Sequence, residues 1–152
     1  MGSDPLTVVN QLQDLSVDAI GINCSLGPAQ MVTLVKELLH YAKIPVLVQP
    51  NAGLPAVVEG KTVYDVSIPE YVDAMEELIQ SGVSIVGGCC GTTPEYIRAL
   101  SERIKSIGDT TLFRRPAAPF TGVSSERRTV ILDDRIRVIG ERINPTGKKL
   151  LK

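Results

Sequence analysis

Four prolines, Pro5, Pro28, Pro69 and Pro94, each precede a helical apolar pattern, and short apolar runs lie between those patterns. This alternation constrains the chain more than any other feature. Proline's fixed φ suits the first turn of a helix, where its missing N–H costs nothing. Asp4, Ser67 and Thr93 stand where N-caps belong, and Ser67 with Glu70 fits a reciprocal capping box. Leu6, Val9 and Leu12 give the first helix an apolar stripe; Met31, Leu34, Val35 and Leu38 the second; Val72, Met75 and Ile79 the third; Ile97, Leu100 and Ile104 the fourth. The runs at 19–22, 46–48 and 83–86 are too short for helices and are bounded by Gly, Pro and Asn. They read as strands buried on both faces.

Helices between such strands make the strands parallel, so the fold class is α/β, either a doubly wound sheet or a (β/α) barrel. The barrel is favoured by where the unusual residues fall. Asn23-Cys24, Gln49-Pro50-Asn51 and Gly87-Gly88-Cys89-Cys90-Gly91 each follow a strand directly, the end at which barrel enzymes carry their chemistry. No GxGxxG follows any strand, which weakens a dinucleotide site. Three strands make residues 1–108 the last part of a (β/α)8 TIM barrel. Residues 109–134, rich in Pro, Ser, Thr and Arg, read as an interdomain linker, and 135–152 open a second domain with a strand at 136–139.

Composition narrows the class. With 43% apolar and 22% charged residues over 152 positions, the chain is globular. It has no apolar run of membrane-spanning length and no signal peptide, so it is expected in the cytoplasm without a membrane partner. The net charge of -1 conceals an asymmetry: residues 1–109 carry 6 basic and 13 acidic side chains, and 110–152 carry 10 basic and 4 acidic. The basic residues are interleaved with Pro, Ala, Thr and Ile rather than lying on one helical face, which speaks against a nucleic-acid arm.

Three cysteines in a reducing compartment argue for a metal or a reactive thiol rather than a disulfide framework. Cys24, Cys89 and Cys90 end two parallel strands on one face and could supply three of the four ligands that zinc takes. Small buried cysteines or an oxidised pair are the alternatives. A Cys89–Cys90 bridge would be strained, because Cα atoms across a trans peptide lie ~3.8 Å apart, below the usual ~4.4–6.8 Å. Gly87, Gly88 and Gly91 let the backbone turn tightly and approach a ligand. Thr92, Thr93 and Pro94 open a helix whose free N–H groups suit an anion such as a substrate carboxylate, or are merely capped. Asn51 is a candidate fourth ligand, a substrate hydrogen-bond partner or a turn residue. His40 is expected on the surface.

The segments GINCSLGP at 21–28, VQPNAG at 48–53 and GGCCGTTPEYI at 87–97 resemble the zinc-dependent homocysteine S-methyltransferase domain, and residues 1–108 look like the C-terminal three strands of its barrel. The tail IGERINPTGKK at 139–149 is similar to the first strand of the pterin-binding barrel that follows this domain in the cobalamin-dependent methionine synthase family. The resemblance implies that Cys24, Cys89 and Cys90 bind zinc and that Asn51 holds the fourth position until the homocysteine sulfur replaces it. Gly88 and Thr92 would then contact substrate, and Asn144 the pterin. Tyr96 departs from the histidine of many members, at a helix start that should tolerate the change.

The reaction so implied is methyl transfer to homocysteine, giving methionine. A free thiol of pKa ~8.5 is only a few per cent thiolate at neutral pH, whereas coordination to zinc deprotonates it. The donor would be methylcobalamin, recharged from 5-methyltetrahydrofolate, with the cobalamin module and the pterin-binding domain as partners in the parent chain. A betaine- or S-methylmethionine-dependent homocysteine methyltransferase is the nearest alternative, and an inactive piece with a structural zinc site another. Unpaired sheet edges would make the piece self-associate.

Overall fold

The structure is a computed structural model that describes residues 2–109, 113, 116–133 and 135–139. Three parallel strands, β1 (Ile20–Asn23), β2 (Val46–Gln49) and β5 (Ile85–Val86), form the main sheet in the order β1-β2-β5. Ile20 pairs with Val46 and Asn23 with Gln49; Leu47 pairs with Ile85 and Val48 with Val86. Four helices accompany them: α1 (Pro5–Leu12), α2 (Pro28–Tyr41), α3 (Ile68–Gln80) and α4 (Pro94–Ile107). Neighbours pack side by side, α1 on α2, α2 on α3 and α3 on α4.

The helices start for the local reasons expected. Asp4 accepts from the Thr7 N–H at 2.7 Å, and the Glu70 carboxylate accepts from both the Ser67 N–H (3.0 Å) and its hydroxyl (2.6 Å). Pro69 falls one residue inside its helix because Ile68 is already helical. Thr93 occupies the N-cap of α4, but its hydroxyl turns to Glu95 rather than to the backbone.

One core holds the domain together. Val9 of α1, Met31, Val35 and Leu38 of α2, Tyr71, Val72, Met75, Leu78 and Ile79 of α3, and Leu100 of α4 meet Ile20, Val46 and Val48 of the sheet. All four helices therefore cover the same sheet face. On the other face Gly21, Asn23 and Ile85 are exposed. The expectation of strands buried on both faces is thus corrected: only the helix side is covered, and the apolar runs were too short to distinguish one buried face from two. Sequential strand order with a one-sided helical layer is the local arrangement of a (β/α) arc; a doubly wound sheet carries helices on both faces.

Two hairpins were not foreseen. Strands β3 (Ala56–Val58) and β4 (Lys61–Val63) pair antiparallel between β2 and α3, joined by Glu59 and Gly60, both with positive φ (49° and 76°), the primed-turn geometry of a two-residue hairpin. Strands β6 (Gly122–Ser124) and β7 (Thr129–Ile131) form the second, inside the segment expected to be a linker. This hairpin docks on α1. The Asp4 N–H donates to the Arg127 carbonyl (3.3 Å), Thr7 and Thr129 share a hydroxyl hydrogen bond (2.9 Å), and the Asn10 amide donates to Ser124 (2.7 Å). The anticipated strand at 136–139 does not form. Ile136, Val138 and Ile139 are 97%, 95% and 84% exposed, since no described strand lies alongside to complete a ladder. Residues 140–152, with Asn144, lie outside the described residues.

Candidate metal centre

The carboxyl ends of β1 and β5 bring the three cysteines together. Cys24 follows β1 directly, its N–H donating to the Gln49 carbonyl at 2.9 Å as the ladder's last rung. The chain then turns through two successive left-handed residues, Cys24 (φ 65°) and Ser25 (φ 68°), a conformation that costs ~1–2 kcal/mol per non-glycine residue and recurs where function requires it. Cys89 is fixed by its N–H to the Pro50 carbonyl (2.8 Å), while the Thr92 hydroxyl donates to the Cys89 carbonyl (2.6 Å). The Cys90 N–H donates to Asn51 Oδ1 (3.1 Å), and the Cys90 carbonyl accepts from the Ala52 N–H (2.9 Å).

The sulfurs face one another. Cys24 Sγ lies 3.7 Å from Cys90 Sγ, Cys89 Sγ lies 3.9 Å from Cys90 Sγ, and all three fall within 4.8 Å of one another. Ligand sulfurs ~2.3 Å from a tetrahedral zinc are separated by ~3.8 Å, so the two closest pairs already have the spacing of a tetrahedron's edges. Thiolates are soft donors suited to zinc. The residues present fit the metal. Cys24 and Cys89 are partly buried and Cys90 is exposed, so the cluster opens to solvent at Cys90.

The thiols are not equivalent. The Ser25 backbone N–H, aided by the neighbouring cysteines, lowers the Cys24 thiol from its ordinary range. Cys89 is pushed up, first by its hydrogen bond with Cys24 and then by burial. Asn51 is buried, 3% exposed, and its backbone N–H donates to the carbonyl of Leu26, two residues after Cys24, at 2.9 Å. It therefore spans both cysteine segments, and its oxygen is engaged by the Cys90 N–H. Gly88 and Thr92 sit against each other: a Cβ on Gly88 would lie 2.5 Å from Thr92 Oγ1. Both shape the cysteine turn. His40 is exposed, as expected, with its ring edge-on to Tyr41.

Two tyrosines belong to this region without having been singled out in the sequence. Tyr71, fully buried on α3, donates to the Gly87 carbonyl at 2.8 Å and so pins the approach to Cys89; burial pushes its hydroxyl well up. Tyr64, after β4, lies over Gly91. Tyr96 packs edge-on against Tyr71 and donates to the Val66 carbonyl at 2.6 Å, so the residue departing from the resembled pattern has its own hydrogen bond.

Residues 1–104 match the sequence profile of the homocysteine S-methyltransferase family. The chain is 36% identical over 157 aligned positions to the methionine synthase of Mycobacterium leprae (strain TN), covering 100% of this chain and 13% of that protein. It is 37% identical over 155 positions to the methionine synthase of Mycobacterium tuberculosis (strain ATCC 25618 / H37Rv), covering 98% of this chain and 12% of that one. The chain thus spans about one eighth of the length of these relatives. Since the profile covers all of β1, β2 and β5 together with the three cysteines that follow β1 and β5, the chain belongs to the homocysteine S-methyltransferase family.

Proposed function

We propose that Cys24, Cys89 and Cys90 hold one zinc ion that takes homocysteine as its fourth ligand, and that this chain is the part of a methionine synthase that makes the homocysteine sulfur reactive. The observation that carries the reading is the convergence of three thiols from two strand ends at tetrahedral spacing. Bound there, zinc would supply a thiolate nucleophile at neutral pH, where free homocysteine is mostly protonated.

The chain's own residues do the rest. Three cysteine thiolates keep the centre electron-rich, so a sulfur added to it retains density for attack on a methyl group. Ser25 stabilises charge on Cys24 through its N–H. Asn51 ties the two cysteine segments together through its N–H to Leu26 and its oxygen to the Cys90 N–H, a role its engaged oxygen suits better than that of a resident ligand. Thr92 and Gly88 hold the turn of Cys89. The open side at Cys90 is where substrate and methyl donor would arrive.

In the whole protein the three parallel strands would be the last of an eight-stranded barrel, with residues 135–152 beginning a pterin-binding domain. The methyl group would come from methylcobalamin, recharged from 5-methyltetrahydrofolate on other modules. Similarity running through the C-terminal tail to methionine synthases favours this donor over betaine or S-methylmethionine. The test is metal analysis of the full-length protein with Cys24→Ser, Cys89→Ser and Cys90→Ser. Each is expected to lose most of one equivalent of zinc; full zinc in any of the three would overturn the three-thiolate centre.

A further inference from the structure

The sheet face left bare by the four helices is polar at the end nearest the cysteines. Val46 and Val48 of β2 point into the helix layer, 1% and 0% exposed, so Leu47 and Gln49 alternate to the opposite face. Asn23 pairs with Gln49 in register and shares that face. Val48 pairs with Val86 on the helix side, and Gly87 comes next in the chain, so Asn23, Gln49 and Gly87 make one level across the three strands. This level lies directly beneath the cysteines: Asn23 precedes Cys24, Gly87 stands two residues before Cys89, and the Gln49 carbonyl accepts the Cys24 N–H. Because Gly87 has no side chain, the Gln49 amide leans toward it; a Cβ there would stand 3.2 Å from Gln49 Nε2 and 3.4 Å from its Cγ. Asn23 is exposed and Gln49 half-buried, and among the described residues neither side-chain amide has a hydrogen-bond partner. None of the residues on this face at 21, 23, 47, 49, 85 and 87 carries a charge.

Resting on the zinc reading above, we propose that Asn23 and Gln49 bind the amino-acid end of homocysteine while its sulfur sits on the metal. A primary amide offers both a carbonyl acceptor and N–H donors, the two functions that an α-ammonium and an α-carboxylate call for. The two methylenes between the sulfur and the α-carbon span about one to two strand residues at ~3.3 Å each, the step from the cysteines down to Asn23 and Gln49. Neutral groups suit this level. A carboxylate so close to three thiolates would repel the incoming sulfur, and a cation would draw electron density from it. Amides select the zwitterion and leave the charge at the centre as the cysteines set it. Preference for an amino-acid thiol over a plain alkyl thiol then comes from the strand ends that also deliver the cysteines.

The experiment uses the zinc-loaded full-length protein and two probes titrated by calorimetry: homocysteine, and propane-1-thiol, which keeps the carbon chain without the ammonium and carboxylate. Gln49→Met and Asn23→Leu preserve most of the side-chain volume and remove the amide. Each is expected to raise the homocysteine dissociation constant about tenfold, the worth of a hydrogen bond to a charged group. Zinc content and propane-1-thiol affinity are expected to stay at the wild-type level. Should Asn23→Leu not fold, Asn23→Ser removes the same amide and carries the same expectation. Homocysteine affinity unchanged in either variant, both thiols weakened alike, or zinc lost along with the amide would overturn that residue's role and leave the metal centre standing. Wild-type protein that takes up no zinc would overturn both.

Discussion

Tyr71 has no exposed surface, yet its hydroxyl finds the Gly87 carbonyl at the end of β5. Removing that oxygen with Tyr71→Phe leaves the carbonyl short of a donor, which costs ~1–3 kcal/mol. A drop of that size in urea unfolding is expected, together with weaker zinc binding, because the Gly87 carbonyl sits two residues before Cys89. Unchanged stability would mean that water replaces the hydroxyl. The cysteines themselves were legible in the sequence, since thiols after two strands at one sheet end have few other uses. Tyr71 and Tyr64 were not. A tyrosine on a helical apolar stripe, or at the end of a short hairpin, reads as packing until its partner is known; the Tyr71 hydroxyl finds its carbonyl 16 residues away, and the Tyr64 ring finds Gly91 27 residues away.

Among the elements, α1 and α3 show how far capping carries the fold. Asp4→Ala is expected to destabilise by about 1 kcal/mol through the lost Thr7 contact, measured by urea midpoint. At α3 the two donors from Ser67 hold the Glu70 carboxyl below its usual range. Its stabilisation is therefore complete above the unfolded-state value of roughly 4.3 and is lost as pH falls through the lower folded value. Glu70→Gln keeps the reciprocal hydrogen bonds without the charge, so the gap in midpoint between wild type and variant should close as pH drops below about 4. A gap that persists in acid would show that geometry, not charge, matters there. Helix starts were readable because proline and cap residues act locally. The β3–β4 hairpin was missed because its strands are exposed on both faces and show no alternation; only Glu59-Gly60 signals it. The β6–β7 hairpin was hidden by a composition typical of linkers, and what fixes it is contact with α1 more than 110 residues earlier.

At the scale of the whole molecule, the four helices lie on one sheet face and leave Ile85 on the other 43% exposed, and among the described residues β1 and β5 each pair only with β2. Unpaired edges and uncovered apolar surface favour association. Sedimentation of the 152-residue chain is expected to show mass rising with concentration, and a monodisperse monomer would contradict this. The one-sided layer also explains why the chemistry gathers as it does: parallel strands in sequential order bring the residues after β1, β2 and β5 to one rim, where Cys24, Asn51 and the Cys89–Cys90 pair meet. On a zinc centre of these three cysteines, as proposed above, homocysteine reaches that rim as an anion. Because a thiol must lose its proton to bind metal, homocysteine binding to the zinc-loaded full-length protein, followed by calorimetry in buffers of differing ionisation enthalpy, should release close to one proton at neutral pH. Release near zero with zinc still bound would contradict it.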